Sequence, residues 1–345
     1  MSDDALIREP GEVRQVIPRD AIPSVDDPTF VAVADGELDP DEEVIALEID
    51  GEARAYPVRY LHYHEIVNDE IAGRPVAVTW CPLCGSAVVY DRVVDGRTLE
   101  FGVSGKLADD DLVMYDRETG SEWKQSAGVA IGGKLRGTRL DVLAASLYTL
   151  SCFRDHHPEG AVMAPPGGAS EAASDDDRPA SIDYDAGPYE AYFDTEGFGL
   201  EAHRGDGSGS RTWDLDWLDP KAVVCGLSFD DANGDRESVG VPEPVVADAG
   251  GLVTLAVGAV DVVVFATDDR GVHAFRDPGY DWEPRSGGFR GGDALWNGAT
   301  GETVDQPAAH TGAASVGDAL ERLPARRLFA FAWVDDHGAD SLVRA

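Results

Sequence analysis

Lysine is almost missing from this chain of 345 residues: Lys106, Lys124, Lys134 and Lys221 are the only four. Aspartate and glutamate number 65 against 28 lysines plus arginines, for a formal net charge of −37. A chain without a basic face cannot hold a run of phosphates, so nucleic acid is not an expected partner. Long apolar runs are also lacking. None approaches the roughly 18 residues that suggest a membrane span, so no membrane partner is expected. The opening residues, MSDDALIREPGEV, contain no apolar stretch of the secretory type, which points to the cytoplasm. No glycine-rich phosphate loop occurs, and none of the spacings suggests a nucleotide or flavin. The stretch GVSGK at Gly102 is too short for such a loop and reads as a turn. Cysteines number only 4, and in a reducing compartment they do not form a disulfide framework.

What is present argues for a folded protein. Apolar residues make up 43% of the chain, too many for a disordered acidic polymer. The acid is spread along the whole length. Such a composition resembles that of proteins from salt-accumulating halophiles, where a Debye length of about 3 Å at molar salt screens the self-repulsion. The charge therefore reports the solvent more than the function.

Four stretches recur in the same order. DPDEEVIALEIDGEARAYPV from Asp39 pairs with DPKAVVCGLSFDDANGDRESVGV from Asp219, and three further stretches follow in register. Internal duplication is the expected origin. The expected organisation is an N-terminal extension over 1–16, a first repeat domain over 17–163, an acidic Pro/Gly/Ser-rich connector over 164–218, and a second, degenerate repeat domain over 219–345. Tyr184, Tyr189 and Tyr192 in the connector are expected to dock it onto a domain face. Alternating apolar residues around Asp50-Gly51 and Asp95-Gly96 read as hairpins. RYLHYHEIVNDEI and AASLYTLSCFRDHH read as the two helical stretches. The fold class is α+β, dominated by strands.

The stretch TWCPLCGSAVVYDR, Thr79 to Arg92, carries the chemistry. Two thiolates two residues apart can grip one ion from a tight turn, with a proline to stiffen it and a glycine to let the backbone fold round. In the repeat alignment Cys81 falls opposite Ala266, Cys84 opposite Asp269, His64 opposite Glu243 and Met114 opposite Leu295. The special residues thus belong to the first copy alone. His64, Asp111 and Met114 are the candidates to complete a metal set with Cys81 and Cys84, suited to zinc or copper. Glu65, Asn68, Trp123 and Gln125 are expected to flank it. Cys152 and His156 stand four apart, but their apolar neighbours favour core packing, as for Cys225. Two other readings remain open. One is a thiol–disulfide oxidoreductase, although a strand pattern follows the cysteines where an activating helix would be needed. The other is a pair of packed cysteines in a non-catalytic scaffold.

HEIVND, TWCPLCGSAVVYDR, GVSG and DLVMYDRETGSEWKQ together resemble the family known as domain of unknown function 3179. The resemblance covers nearly the whole chain and implies a fold unit more than an activity. Two departures stand out. Asp109-Asp110 replace the family's usual Asn-Ser, and Lys124 replaces the usual Ser between Trp123 and Gln125.

Overall fold

Asp50-Gly51 turns strand β1 (Glu43–Ile49) back into β2 (Glu52–Pro57), with Ile49 opposite Glu52. This is the hairpin expected from the sequence. The coordinates are a computed structural model describing residues 7–174, 178–205, 207, 209, 211–267, 271–304 and 319–344. Pro57 leads into helix α1 (Val58–His64). The helix expected to run on through IVNDEI instead stops at His64. Glu65 adopts φ 58°, which breaks the helical run, and the β-branched Ile66, Val67 and Ile71 enter a strand.

That strand, β3 (Ile66–Ile71), begins an antiparallel meander with β4 (Arg74–Cys81) and β5 (Ser86–Asp91). A second sheet contains β6 (Phe101–Ala108), β7 (Asp111–Asp116), β8 (Glu122–Lys124) and β9 (Val129–Gly132) in sequence order. Strand β10 (Ser146–Thr149) returns to pair with β1 and runs into helix α2 (Leu150–His156). The second helical stretch is therefore half strand. Its helix does carry Cys152 and His156, but His156 turns to Glu302, 3.0 Å away.

The GVSGK turn is corrected as well. Gly102 to Lys106 lie inside β6, at a bulge where the register jumps between Val103 and Lys106. Gly105 has φ +75°, and a Cβ there would come within 2.1 Å of the Ile17 carbonyl oxygen. Gly105→Ala is expected to cost at least ~2 kcal/mol, from the left-handed backbone plus the overlap. A urea midpoint equal to that of the parent chain would contradict this packing.

After the connector come β11 (Val223–Asp230), β12 (Arg236–Pro242) and helix α5 (Glu243–Asp248). A meander of β13 (Leu252–Val257), β14 (Val260–Ala266) and β15 (Val272–Arg276) follows, and β16 (Arg326–Phe329) leads into helix α6 (Ala330–His337). Element order matches that of the first half. The pairing β16-β11-β12 also matches β10-β1-β2. The meanders differ in their surroundings. β13–β15 form a sheet of their own, whereas β3–β5 join β12-β11-β16 in one six-stranded sheet through Arg327 opposite Ala87. One sheet thus runs through both halves.

Ala266 closes β14 as Cys81 closes β4. Asp269, set opposite Cys84, lies outside the described residues. Anchoring the helices on Pro57 and Pro242 places Glu243 opposite Val58 and Ala249 opposite His64, which corrects the pairing of His64 with Glu243.

The connector is built into the core. Short helices α3 (Glu190–Phe193) and α4 (Leu200–Arg204) lie within it. Tyr189, Tyr192, Phe198 and Ala202 are buried in the same hydrophobic cluster as Cys81 and Cys84. No described helix is long and apolar enough to cross a membrane.

Candidate metal centre

Strand β4 ends on Cys81, and the Pro82–Gly85 turn reverses the chain into β5, with Cys81 opposite Ser86. Gly85 has φ +52° and donates its N–H to the Pro82 carbonyl at 3.3 Å. A Cβ at Gly85 would meet the Phe329 ring of β16 at 2.6 Å. Only glycine permits both the turn and that close approach. Strand β16 fixes the turn from outside as well, since Phe329 N–H donates to the Cys84 carbonyl at 2.7 Å.

Asp111 opens β7 and meets this turn. Cys81 Sγ, Cys84 Sγ and an Asp111 carboxylate oxygen all lie within 4.8 Å of one another, and all three residues are buried. Asp111 Oδ2 accepts the Ser126 N–H at 2.9 Å, while Oδ1 has no partner among the described residues. Cys84 Sγ donates to the Asp110 carbonyl at 3.5 Å. A buried carboxylate oxygen without a donor is unusual and calls for an explanation.

The electrostatics are those of a pocket short of positive charge. Burial pushes Asp111 up to about 6; Lys124 pulls it back and Asp336 raises it further. Burial raises the Cys81 thiol, which its hydrogen bond with Cys84 partly offsets. Cys84 is pushed well above the ordinary thiol range, by burial first and then by Cys81.

His64 does not join this group. Its Nδ1 lies 2.9 Å from the Pro23 carbonyl, which can only accept, so Nδ1 carries the proton. Nε2 is then left to accept from the Tyr184 hydroxyl at 2.8 Å. Burial lowers its pKa, in keeping with a neutral ring. Met114 is buried in the same hydrophobic cluster as the cysteines. It stands three residues from Asp111 on one strand, so the two project to opposite faces. Its cross-strand neighbour is Trp123, whose indole N–H donates to Asp116 Oδ2 at 2.9 Å. Asn68 braces the start of β6, donating to the Phe101 carbonyl and accepting the Phe101 N–H. Gln125 reaches the cysteine strand and donates to Thr79 Oγ1 at 2.7 Å.

Glu65, one residue on, is the group whose charge reaches Asp111 and Cys81. The left-handed turn after α1 carries it inward, and the Trp80 N–H of β4 holds its carbonyl at 2.8 Å. Its carboxylate is buried, and Oε2 has no partner among the described residues. Glu65 and Cys81 both line a cavity of about 760 Å³. The connector supplies much of the wall, including Glu171, Tyr189, Leu200, His203 and Arg204. Tyr192 donates to the Leu83 carbonyl at 2.7 Å and so ties the connector to the cysteine turn.

A family model described as "Protein of unknown function (DUF3179)" matches residues 19–339. The chain belongs to that family. No curated protein and no solved structure matches it.

Within this DUF3179 chain the two departures from the usual motifs sit together. Lys124 Nζ lies 3.8 Å from Asp109 Oδ2. It also pairs with Asp336 Oδ1 of α6 at 2.7 Å, with both side chains 1% exposed. Ser126 Oγ donates to Asp336 Oδ2 at 2.6 Å, which completes a buried chain from Asp111 to the second half. Asp336, Glu171, His203 and Arg204 were not expected from the sequence. No motif marks them, and their role arises only where the Glu171–Ala173 turn, α4 and α6 pack on the first half.

Burial, then Glu171 and Asp111, pushes Glu65 up to about 8. The folded DUF3179 chain therefore keeps a proton that the unfolded chain releases above its ordinary 4.5. Stability falls as pH rises from 4.5 towards 8, by an amount on the order of a few kcal/mol. Asp111, raised to about 6, adds a slope of the same sign over a lower window. Urea unfolding of chelator-treated protein at pH 5 and 8.5 measures the effect. Glu65→Gln is expected to remove most of the loss, whereas parallel profiles for parent and variant would contradict it.

Proposed function

We propose that the protein binds one zinc ion through Cys81, Cys84 and Asp111 and leaves a further coordination position toward the cavity that Cys81 lines. The observation that carries this reading is the buried trio itself, with ligand atoms within 4.8 Å and Asp111 Oδ1 unpartnered. Two thiolates and a carboxylate form a donor set suited to zinc. A copper(I) site would favour softer donors, and Met114 lies on the other face of β7 from Asp111. Three protein ligands with a position left open is the pattern of zinc sites that engage a further molecule. A bound zinc ion would supply the missing positive charge, ionise both thiols and polarise whatever occupies the open position.

The same electrostatics weigh against a thiol–disulfide enzyme. Such enzymes need a thiolate stabilised by a cation or a helix N-terminus. Here both thiols are raised, strand β5 follows the turn, and Lys124 is engaged by Asp336. Elemental analysis of protein purified without an affinity tag tests the proposal. About one zinc ion per chain is expected. Metal-free protein that reduces a model disulfide would overturn it in favour of the redox reading.

A further inference from the structure

The 760 Å³ cavity is large enough for a small molecule, and its chemistry is selective. Apolar walls come from Ile17, Ile22, Leu83, Val103 and Leu200. Two cationic side chains line it, and both are already matched. Arg204 donates to Glu171 Oε1 at 2.9 Å, and Lys106 to Glu122 Oε1 at 2.6 Å. Glu65 is the opposite case. It is 8% exposed, and its Oε2 receives no hydrogen bond from the described residues. Tyr189, stacked on His203 with ring centroids 4.7 Å apart, lines the same wall. Among the described residues the cavity therefore has spare acceptor capacity and no spare cation. A carboxylate or phosphate ligand would find no unpaired positive partner there. An ammonium group placed beside Glu65 would favour its ionised form and pair with it, with an aromatic ring lining the same wall.

From this we infer that the cavity binds a small organic cation, an amine with an apolar body, whose ammonium group is held by Glu65. The site adjoins the metal centre through Cys81 but does not depend on an ion being present. A buried acceptor left unpaired costs free energy, and a ligand donor removes that cost. The left-handed backbone at Glu65 fits the same role, because strain of this kind concentrates at ligand clamps.

Calorimetric titration of the full-length, zinc-loaded protein with n-pentylammonium, and separately with pentanoate, tests the inference at fixed sodium chloride. Pentylammonium is expected to saturate one site, with pentanoate at least tenfold weaker. Glu65→Gln should weaken pentylammonium at least tenfold while zinc content stays near the parent value and the thermal midpoint does not fall below the parent's. Leu200→Trp, which narrows the cavity from α4 and leaves Glu65 in place, should block binding as well. Pentanoate binding as tightly as the amine would overturn the inference. So would a parent protein with no saturable heat, or a Glu65→Gln variant with unchanged affinity. Loss of zinc in Glu65→Gln would also overturn it, by making Glu65 a metal ligand. Zinc content is measured in the same samples. A protein that takes up no zinc on loading yet still binds the amine would therefore sink the metal reading and leave this one standing.

Discussion

Replacing Cys84 with serine is expected to lower bound zinc from about one ion per chain to a residual few per cent. The turn should survive, because its shape comes from the Gly85 backbone and the Phe329 N–H on the Cys84 carbonyl, not from the sulfur. Cys84 is 0% exposed and touches no solvent, so the loss reads coordination and not surface chemistry. Cys81→Ser should behave alike. Asp111→Asn is the finer probe. It keeps the side-chain shape and an oxygen for the Ser126 N–H but removes the charge. It should weaken zinc by one to two orders of magnitude. A chelator competition series across the three variants measures all of this. Undiminished affinity in Asp111→Asn would remove the carboxylate from the ligand set and reduce the site to a bare dithiol.

The second large effect concerns stability. Lys124 is enclosed by protein, and burial alone would lower its pKa. Asp336 and Asp111 more than offset that and raise its pKa. Lys124→Met leaves both carboxylates buried without their cation, which should cost about 3–5 kcal/mol. The double variant Lys124→Met/Asp336→Asn should lose less than Lys124→Met alone, because the stranded charge goes with its partner. Urea unfolding of chelator-treated protein reports both values. A Lys124→Met midpoint within error of the parent would show that the ion pair contributes nothing. Because Asp336 belongs to α6, this pair also couples the second half to the first.

Much of the strand framework was legible because its signals are local. Asp50-Gly51 dictates a two-residue turn, and the apolar run Val44–Leu47 marks a strand that is buried on both faces. The cysteine turn could be read for the same reason, as proline, glycine and two sulfurs lie within five positions. Asp111 was within reach because it heads a dense motif. His64 was not resolved, since its direction depends on the end of α1 and on Tyr184, 120 positions away. A helix extended through Ile66 and Val67 would have turned these side chains differently. The left-handed residue that stops it is a glutamate, where local rules favour glycine. Ser126 and Asp336 meet across 210 positions, and no spacing rule spans that distance. The connector misled through its composition. Pro, Gly and Ser mark irregular backbone, but irregular backbone can still be buried when tyrosines anchor it.

X-ray absorption at the zinc edge of the purified, untagged protein tests the central claim most directly. The account predicts a first shell of two sulfurs at about 2.3 Å and lighter oxygen or nitrogen atoms at about 2.0–2.2 Å. A shell of four sulfurs, a shell without sulfur, or a protein with no zinc to measure would contradict it.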